Sequence, residues 1–157
     1  MSSPDLRDVD FGILLGLAYQ AFVDQLHADL ARHGFHDLGP SVGYVVRSIA
    51  ASPTPLSQRQ LAVQLGVTDQ GAAKIVDDLD ARGFIRRKPS PDDARVNHLH
   101  LAARGKELLA AARRFHARYE AELARHAGGE DAAITRRVLT AIAGGADEDT
   151  RGRLRQL

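Results

Sequence analysis

Apolar positions along this chain follow a helical period over most of its length. Over residues 9–31 and again over residues 104–126 they return every three or four residues, which predicts two long helices. Shorter helical patterns begin at Pro40 and at Ser57, and another covers Asp69–Ala81. The chain is therefore predicted to be mainly helical, with short helices in the middle and long ones on either side.

The helical period gives way to strand patterns after Gly83. Residues 84–88 (FIRRK) predict one strand, and residues 96–101 (VNHLHL) alternate as a returning strand. The PSPDD sequence between them is typical of a turn. Helix, turn, helix and hairpin in this order predict a winged helix-turn-helix over about residues 40–101, a shape that places its second helix in the DNA major groove. The predicted fold class is mainly α with a small β-hairpin wing.

Capping residues mark the ends of the two central helices. Ser57 begins a capping-box pattern, Gly66 turns the chain, and Thr68 caps the second helix. With the apolar stripe turned inward, the first half of that helix presents small and polar side chains, among which Gln70 and Lys74 can read base edges or phosphates. The residues of this segment expected to contact DNA are Ser57, Thr68, Asp69, Gln70, Gly71, Ala73 and Lys74.

The hairpin adds basic residues to the expected DNA contacts. Arg86, Arg87 and Lys88 form the densest basic run of the chain, and Arg95 follows the hairpin tip, where a guanidinium can enter a narrow minor groove. Arg87, Lys88 and Arg95 are the contacts expected from the wing. The acidic second half of the preceding helix should point away from the duplex, since it would repel phosphate. The alternative for that helix is an ordinary solvated face.

Composition narrows the class of protein. The chain has 157 residues, no cysteine and a formal net charge of +1, so disulfides and thiolate metal sites are excluded. The polar start of the chain differs from a secretory signal, and no apolar run reaches the length of a membrane span. No phosphate loop or catalytic Ser/His/Asp set is present, which argues against an enzyme or a bound cofactor. A cytoplasmic location is expected.

Two histidines close to the end of the first long helix raise the question of a metal site. His33 and His36 flank Gly34, a residue that ends helices. They lack a third ligand nearby beyond Asp37, so capping or solvated histidines are favoured over a metal site.

The terminal helices are more apolar than a fifty-residue winged helix needs. Residues 9–31 carry apolar side chains over more than one stripe, and a further helix is predicted around Ile134 and Ile142. An intersubunit role is favoured for them, the alternative being a central helix in a monomer. The chain is thus read as one domain over residues 1–157, with a dimerisation region at about 8–36 and 104–157 that makes the protein a homodimer.

The segment after residue 60 resembles the winged helix of the MarR family of bacterial transcription regulators. The resemblance is carried by Gly83, Phe84-Ile85, Arg86-Arg87, Asp93-Ala94-Arg95 and the run from Leu101 to Gly105. Some fifty contiguous residues follow the family pattern, and the flanking helices agree with it in number and length. Two positions depart from it, since Ala102 replaces the usual Thr and Asp78 a frequent Arg.

The resemblance implies roles for several residues. Asp93 would pair with Arg87 to orient the wing, Arg95 would reach the minor groove, and Lys74 occupies a position where the family often has a DNA-contacting Arg. The protein would then be a homodimeric repressor, or less often an activator, of a pseudo-palindromic operator in double-stranded DNA. A small-molecule effector, aromatic or phenolic, would relieve repression, with Phe22, His27 and Tyr44 as pocket candidates. Plain packing is the alternative for those three side chains.

Two other functions stay open from the sequence. A winged helix can serve as a protein–protein interaction module, although the basic run and Arg95 argue against it. A regulator of the same type that responds to no ligand is the second alternative.

Overall fold

The structure, a computed structural model, describes residues 5–145. Its helices are α1 (Phe11–Arg32), α2 (Pro40–Ala51), α3 (Gln58–Leu65), α4 (Asp69–Ala81), α5 (Ala103–Ala127) and α6 (Gly129–Gly144). Its strands are β1 (Leu56–Ser57), β2 (Ile85–Pro89) and β3 (Asn97–Leu101), and a short 3-10 turn (Leu6–Asp8) precedes α1. The mainly helical fold class with a small β wing is confirmed. The chain divides between Asp37 and Leu38 into two compact units.

The first unit consists of the 3-10 turn and α1. The helix ends at Arg32, and Gly34 follows with a φ of 84°, as its sequence predicts. His33 acts as a local cap, since its Nδ1 lies 2.9 Å from the carbonyl oxygen of Asp29. Arg32 donates a hydrogen bond of 2.7 Å to the Asp29 carboxylate, which is buried.

The second unit begins with α2, opened by Pro40 as predicted, and continues into the helix-turn-helix. Ser57 and Gln60 form the predicted capping box, and Gly66 ends α3 in the left-handed region with a φ of 66°. Thr68 caps α4 by accepting a hydrogen bond of 3.0 Å from the Gly71 amide. These local signals fix both helices where the sequence predicts them.

The sheet has three antiparallel strands in the order β1-β3-β2 rather than the hairpin alone. β1 is the additional strand, and it pairs Leu56 with Leu99 and Ser57 with His98. Its two residues are too few to show an alternating pattern, so no strand is predicted there from the sequence. The third strand stabilises the hairpin, because two strands alone are marginal in water.

The core of the second unit is built where the helix-turn-helix, the sheet and α5 meet. Its largest fully buried side chains are Phe84, Leu61, Leu65, Leu79, Ile85, Leu99, Val45, Val46 and Val76. Guanidinium groups of Arg82 and Arg104 lie over the Phe84 ring, 5.2 and 4.9 Å from its centroid. The Phe84 carbonyl accepts a hydrogen bond of 3.0 Å from the Ala102 amide, which joins the start of the wing to the start of α5.

The two C-terminal helices are separated by Gly128, which has a φ of 92°. α5 begins after Ala102, whose side chain makes no capping hydrogen bond, as expected from the missing Thr. The last part of the predicted dimerisation region, residues 146–157, lies outside the described residues. Within residues 5–145, none of the helices is long and apolar enough to cross a membrane.

Candidate nucleic-acid interface

The first half of α4 is a narrow, accessible surface. Asp69, Gln70 and Lys74 are exposed, and Gly71 and Ala73 are partly exposed between them. A Cβ at Gly71 would lie 3.3 Å from the Thr68 hydroxyl, so the cap and the glycine are closely packed. The small side chains allow the helix backbone to approach another surface, while Gln70 and Lys74 extend beyond it.

The second half of α4 is acidic, and arginines of the wing bind it. Arg87 places Nη2 2.5 Å from an Asp77 oxygen and Nη1 3.7 Å from Asp80. Arg86 donates to the Asp80 carboxylate at 2.9 Å and to its carbonyl at 3.0 Å. A similar pair within the end of the helix joins Arg82 to Asp78 at 3.0 Å. The acidic half of α4 is thus largely neutralised by its own neighbours.

The predicted pairing of Arg87 with Asp93 differs from what the structure shows. Arg87 is held by α4, on the inner side of the hairpin, and its side chain is only 27% exposed. Asp93 instead accepts a hydrogen bond of 3.0 Å from the backbone amide of Arg95. The wing is therefore oriented by Asp77 and Asp80, two residues for which the sequence predicts only repulsion of phosphate. The signal for their role was present, since an acidic run on α4 precedes a basic run on β2.

The hairpin tip is ordered by short local hydrogen bonds. Ser90 donates its amide to the Val96 carbonyl at 2.7 Å, and Val96 donates to the Asp93 carbonyl at 2.9 Å. The Ser90 hydroxyl accepts from the Asp92 amide at 3.3 Å. These bonds close a compact turn that leaves Arg95 exposed at the tip. A guanidinium in that position can extend towards a minor groove.

The remaining predicted contacts, Ser57 and Lys88, lie in one row across the sheet. Both residues are paired with His98 of the central strand, one from each side. The Ser57 hydroxyl already accepts from the Gln60 amide at 3.2 Å, so a contact to DNA there would share the capping oxygen. Lys88 is exposed.

The effector-pocket candidates are distributed over both units. Phe22 and His27 lie on α1, in the first unit, and Tyr44 lies on α2, in the second. Also in the second unit, Arg47 of α2 lies 3.5 Å from the Nε2 atom of His116 on α5. Burial lowers the pKa of His116, the positive charge of Arg47 acts in the same direction, and Glu120 opposes both. Among residues 5–145 no group of three or more histidine or carboxylate side chains is arranged to hold a metal ion.

The geometry defines the class of protein. A capped helix-turn-helix with an accessible second helix, followed by a hairpin with an arginine tip, is a winged helix-turn-helix. The predicted order of these elements is confirmed.

Comparisons with known proteins identify the family that this winged helix resembles. A family model described as the MarR family matches residues 36–96. The transcriptional repressor MprA of Escherichia coli (strain K12) is 40% identical over 50 residues, which make up 32% of this chain. That match spans 28% of the length of the curated relative.

Solved structures extend the likeness over most of the chain. The transcriptional repressor CouR, in a structure bound to a 23-mer DNA duplex, is 26% identical with a TM-score of 0.66, over 91% of this chain and 98% of that one. MepR, a transcription regulator of the Staphylococcus aureus multidrug efflux pump MepA, is 17% identical with a TM-score of 0.68, over 87% and 98%. The resemblance to the MarR family is confirmed, and members of that family are transcription regulators rather than enzymes.

Proposed function

We propose that this protein is a DNA-binding transcriptional regulator, a homodimeric repressor that acts on a pseudo-palindromic operator in the cytoplasm. The observation that carries the proposal is the division of α4 into two halves. Its first half presents Gln70 and Lys74 among small residues, while its acidic second half is neutralised by Arg86 and Arg87. A helix arranged in this way can enter a major groove by its first turns without repelling the backbone.

The relatives support DNA as the partner. CouR, at 26% identity, has been solved on a DNA duplex, and a MepR–DNA complex has a TM-score of 0.66 with 18% identity. In this chain Thr68, Gln70 and Lys74 would contact the major groove and Arg95 the minor groove. Arg87 would act through the wing, as a positioning residue rather than as a DNA contact.

Homodimerisation is supported by apolar side chains that the single chain leaves exposed. On α6, Ile134, Val138, Leu139 and Ile142 are each 39–45% exposed. On α1, in the other unit, Phe11 is 64% exposed and Ile13 57%. Exposed apolar side chains along one face of a helix, as on α6, are typical of interaction surfaces. A second copy would cover them and, by two-fold symmetry, set two α4 helices about one helical turn of DNA apart.

The proposal also includes a small-molecule effector. Phe22, His27 and Tyr44 are the candidates to bind an aromatic or phenolic molecule, on the strength of the family resemblance and of their ring chemistry. Binding such a molecule would relieve repression by changing the spacing of the two recognition helices. If no such molecule changes the DNA affinity, the protein is a regulator that does not respond to a ligand.

The proposal is tested by selecting bound duplexes from a random pool and measuring salt dependence on the recovered sequence. Arg95→Ala should weaken binding and reduce the slope of log K against log salt by about one unit, because one phosphate-neutralising charge is lost. Arg113→Ala, at an exposed position of α5, is the matched control and should leave the slope unchanged. Recovery of no duplex at low salt would contradict DNA binding and favour a protein-interaction module.

A further inference from the structure

A cleft of about 610 Å³ opens beside the wing, on the outer side of the small sheet. His98 and His100 of β3 line it together with Lys88 of β2 and Gln60 of α3, and three prolines add rigid apolar lining. The family resemblance assigned no role to the two histidines. His98 lies between two expected DNA contacts, Ser57 and Lys88, with which it is paired across the sheet.

The strand register places these side chains on one face. Lys88, His98 and Ser57 stand directly opposite one another across the three strands, and Arg86 stands opposite His100. Leu99, between the two histidines, is 1% exposed and belongs to the core. Because successive side chains of a strand point to opposite faces, both histidines are directed outward, where they are partly exposed.

The charges around the histidines nearly cancel when the rings are neutral. Among the described residues that line the cleft, Lys88 is the only permanently positive one, and Asp92, from the wing loop, is the only carboxylate. Arg86 is held by Asp80 at 2.9 Å. The helices α2, α3 and α5 also pack against β3, and within the part of the chain that the structure describes they contribute no charged side chain to the lining.

The surroundings of the cleft favour an anion over a metal ion. Gln60 lies in the first turn of α3, so the positive end of that helix dipole is close by. A metal ion is disfavoured, because among residues 5–145 the histidines belong to no group of three potential ligands. A histidine ring gains one positive charge when its second nitrogen is protonated. Protonation of both rings would therefore turn a nearly neutral surface into one that carries two added positive charges.

We propose that the cleft around His98 and His100 binds a phosphate of the DNA backbone, and that protonation of the two histidines tightens this contact. The inference rests on the proposed function, since it extends the DNA interface from Lys88 across the sheet to the start of α3. The wing loop that carries Arg95 at its tip also borders the cleft through Pro91 and Asp92. One backbone could therefore follow the hairpin from its tip to this face. DNA affinity would then rise as the pH falls.

The test compares DNA binding by the full chain at about pH 6 and about pH 8, at constant ionic strength, on a duplex recovered from the random pool. The unsubstituted protein should bind about tenfold more tightly at the lower pH, the size of one added charge-assisted contact. The slope of log K against log salt should also be steeper there by about one unit. Both differences should vanish in the double variant His98→Asn, His100→Asn.

Two further variants separate charge from structure. His126→Asn, at an exposed position near the end of α5, is the matched control and should keep the pH dependence. The double variant His98→Lys, His100→Lys carries fixed charges, so it should bind at about pH 8 as tightly as the unsubstituted protein does at about pH 6. Unchanged circular dichroism spectra at both pH values would show that the comparison is made between folded proteins.

The outcomes distinguish this inference from the proposed function. Absence of binding to any duplex at both pH values would contradict the proposed function itself and the inference with it. Binding with a pH dependence that survives in the His98→Asn, His100→Asn variant would overturn the inference alone. A saturable response of these histidines to inorganic phosphate without DNA, combined with a DNA affinity independent of pH, would assign the cleft to a free phosphate compound and overturn the duplex as its ligand.

Discussion

Gly105 is the residue at which the wing and α5 come closest. A Cβ added there would lie 2.1 Å from the Phe84 carbonyl oxygen, which is part of the backbone and cannot rotate away. That oxygen also accepts the Ala102 amide, so moving it would break a hydrogen bond at the junction. The position therefore requires glycine because of a close approach, and its backbone conformation is ordinary helix.

Replacing this glycine should destabilise the fold. We expect Gly105→Ala to lower the free energy of unfolding by about 1–3 kcal/mol, the usual cost of forcing an extra group into a packed site. Gly43→Ala is the matched control, because α2 has nothing within 4 Å of its Cβ position. The control should be neutral or stabilising by up to about 1 kcal/mol. Denaturant unfolding curves measure both, and equal stability of the two variants would contradict the predicted clash.

His116 should make the second unit less stable in acid. Burial lowers its pKa in the folded protein, so the unfolded chain takes up a proton first as the pH falls. Stability should then decline below the ordinary histidine value of about 6.5 and stop declining once the lower folded pKa is passed. Urea midpoints at about pH 7.5 and 5.5 measure this, and His116→Gln should reduce the decline whereas His126→Gln should not. An identical decline in all three proteins would exclude His116 as its source.

At the scale of elements, the ion pairs between α4 and β2 distinguish positioning from contact. Arg87 is engaged by Asp77 and Asp80, so its removal would leave carboxylates beside the recognition helix without their counter-charge. Loss of affinity in Arg87→Ala would then come from repulsion and from a looser wing. If Arg87 instead contacted a phosphate directly, Arg87→Ala would weaken DNA binding because that contact is lost.

A double-mutant cycle separates these two explanations. Arg87→Ala should weaken DNA binding by about tenfold, comparable with one charged interaction. The double variant Asp77→Ala, Arg87→Ala should recover most of the affinity, because the uncompensated carboxylate is gone. Filter binding or fluorescence anisotropy provides the measurement. If the double variant stays as weak as the single one and the salt slope falls by about one unit, Arg87 contacts DNA.

The helices were predictable from sequence because their ends carry local signals. Ser57, Gly66 and Thr68 each act within three residues of their own position, and α4 spans the residues predicted. β1 was missed because two residues have no period. The partners of Arg87 were missed for another reason, since Asp77 lies ten residues away and only the packing of β2 against α4 brings the two together. The DNA contacts on α4 and at the wing tip remain predictions.

At the scale of the whole molecule, the exposed apolar side of α6 should decide the oligomeric state. Ile134, Val138 and Ile142 fall on one side of the helix, and Thr140 falls on the other. Val138→Glu would place a charge in the middle of the proposed dimer interface, and burying an unpaired charge is costly. Thr140→Glu is the matched control with the same added charge.

We expect Val138→Glu to sediment as a monomer at micromolar concentration and Thr140→Glu as a dimer. The monomeric variant should also bind the operator only weakly, because it contacts one half-site and loses the second set of DNA contacts. Equilibrium sedimentation gives the oligomeric state, and anisotropy gives the affinity. A dimer that persists in Val138→Glu with unchanged affinity would place the interface elsewhere.

The junction at Phe84 has a mechanical consequence for such a regulator. The Phe84 carbonyl at the start of the wing is hydrogen-bonded to the Ala102 amide at the start of α5, and Gly105 packs directly against the same carbonyl. A tilt of α5 would therefore move the hairpin together with it, as one rigid body. Bending of α5 would therefore displace Arg95 at the wing tip, and no loop would have to refold.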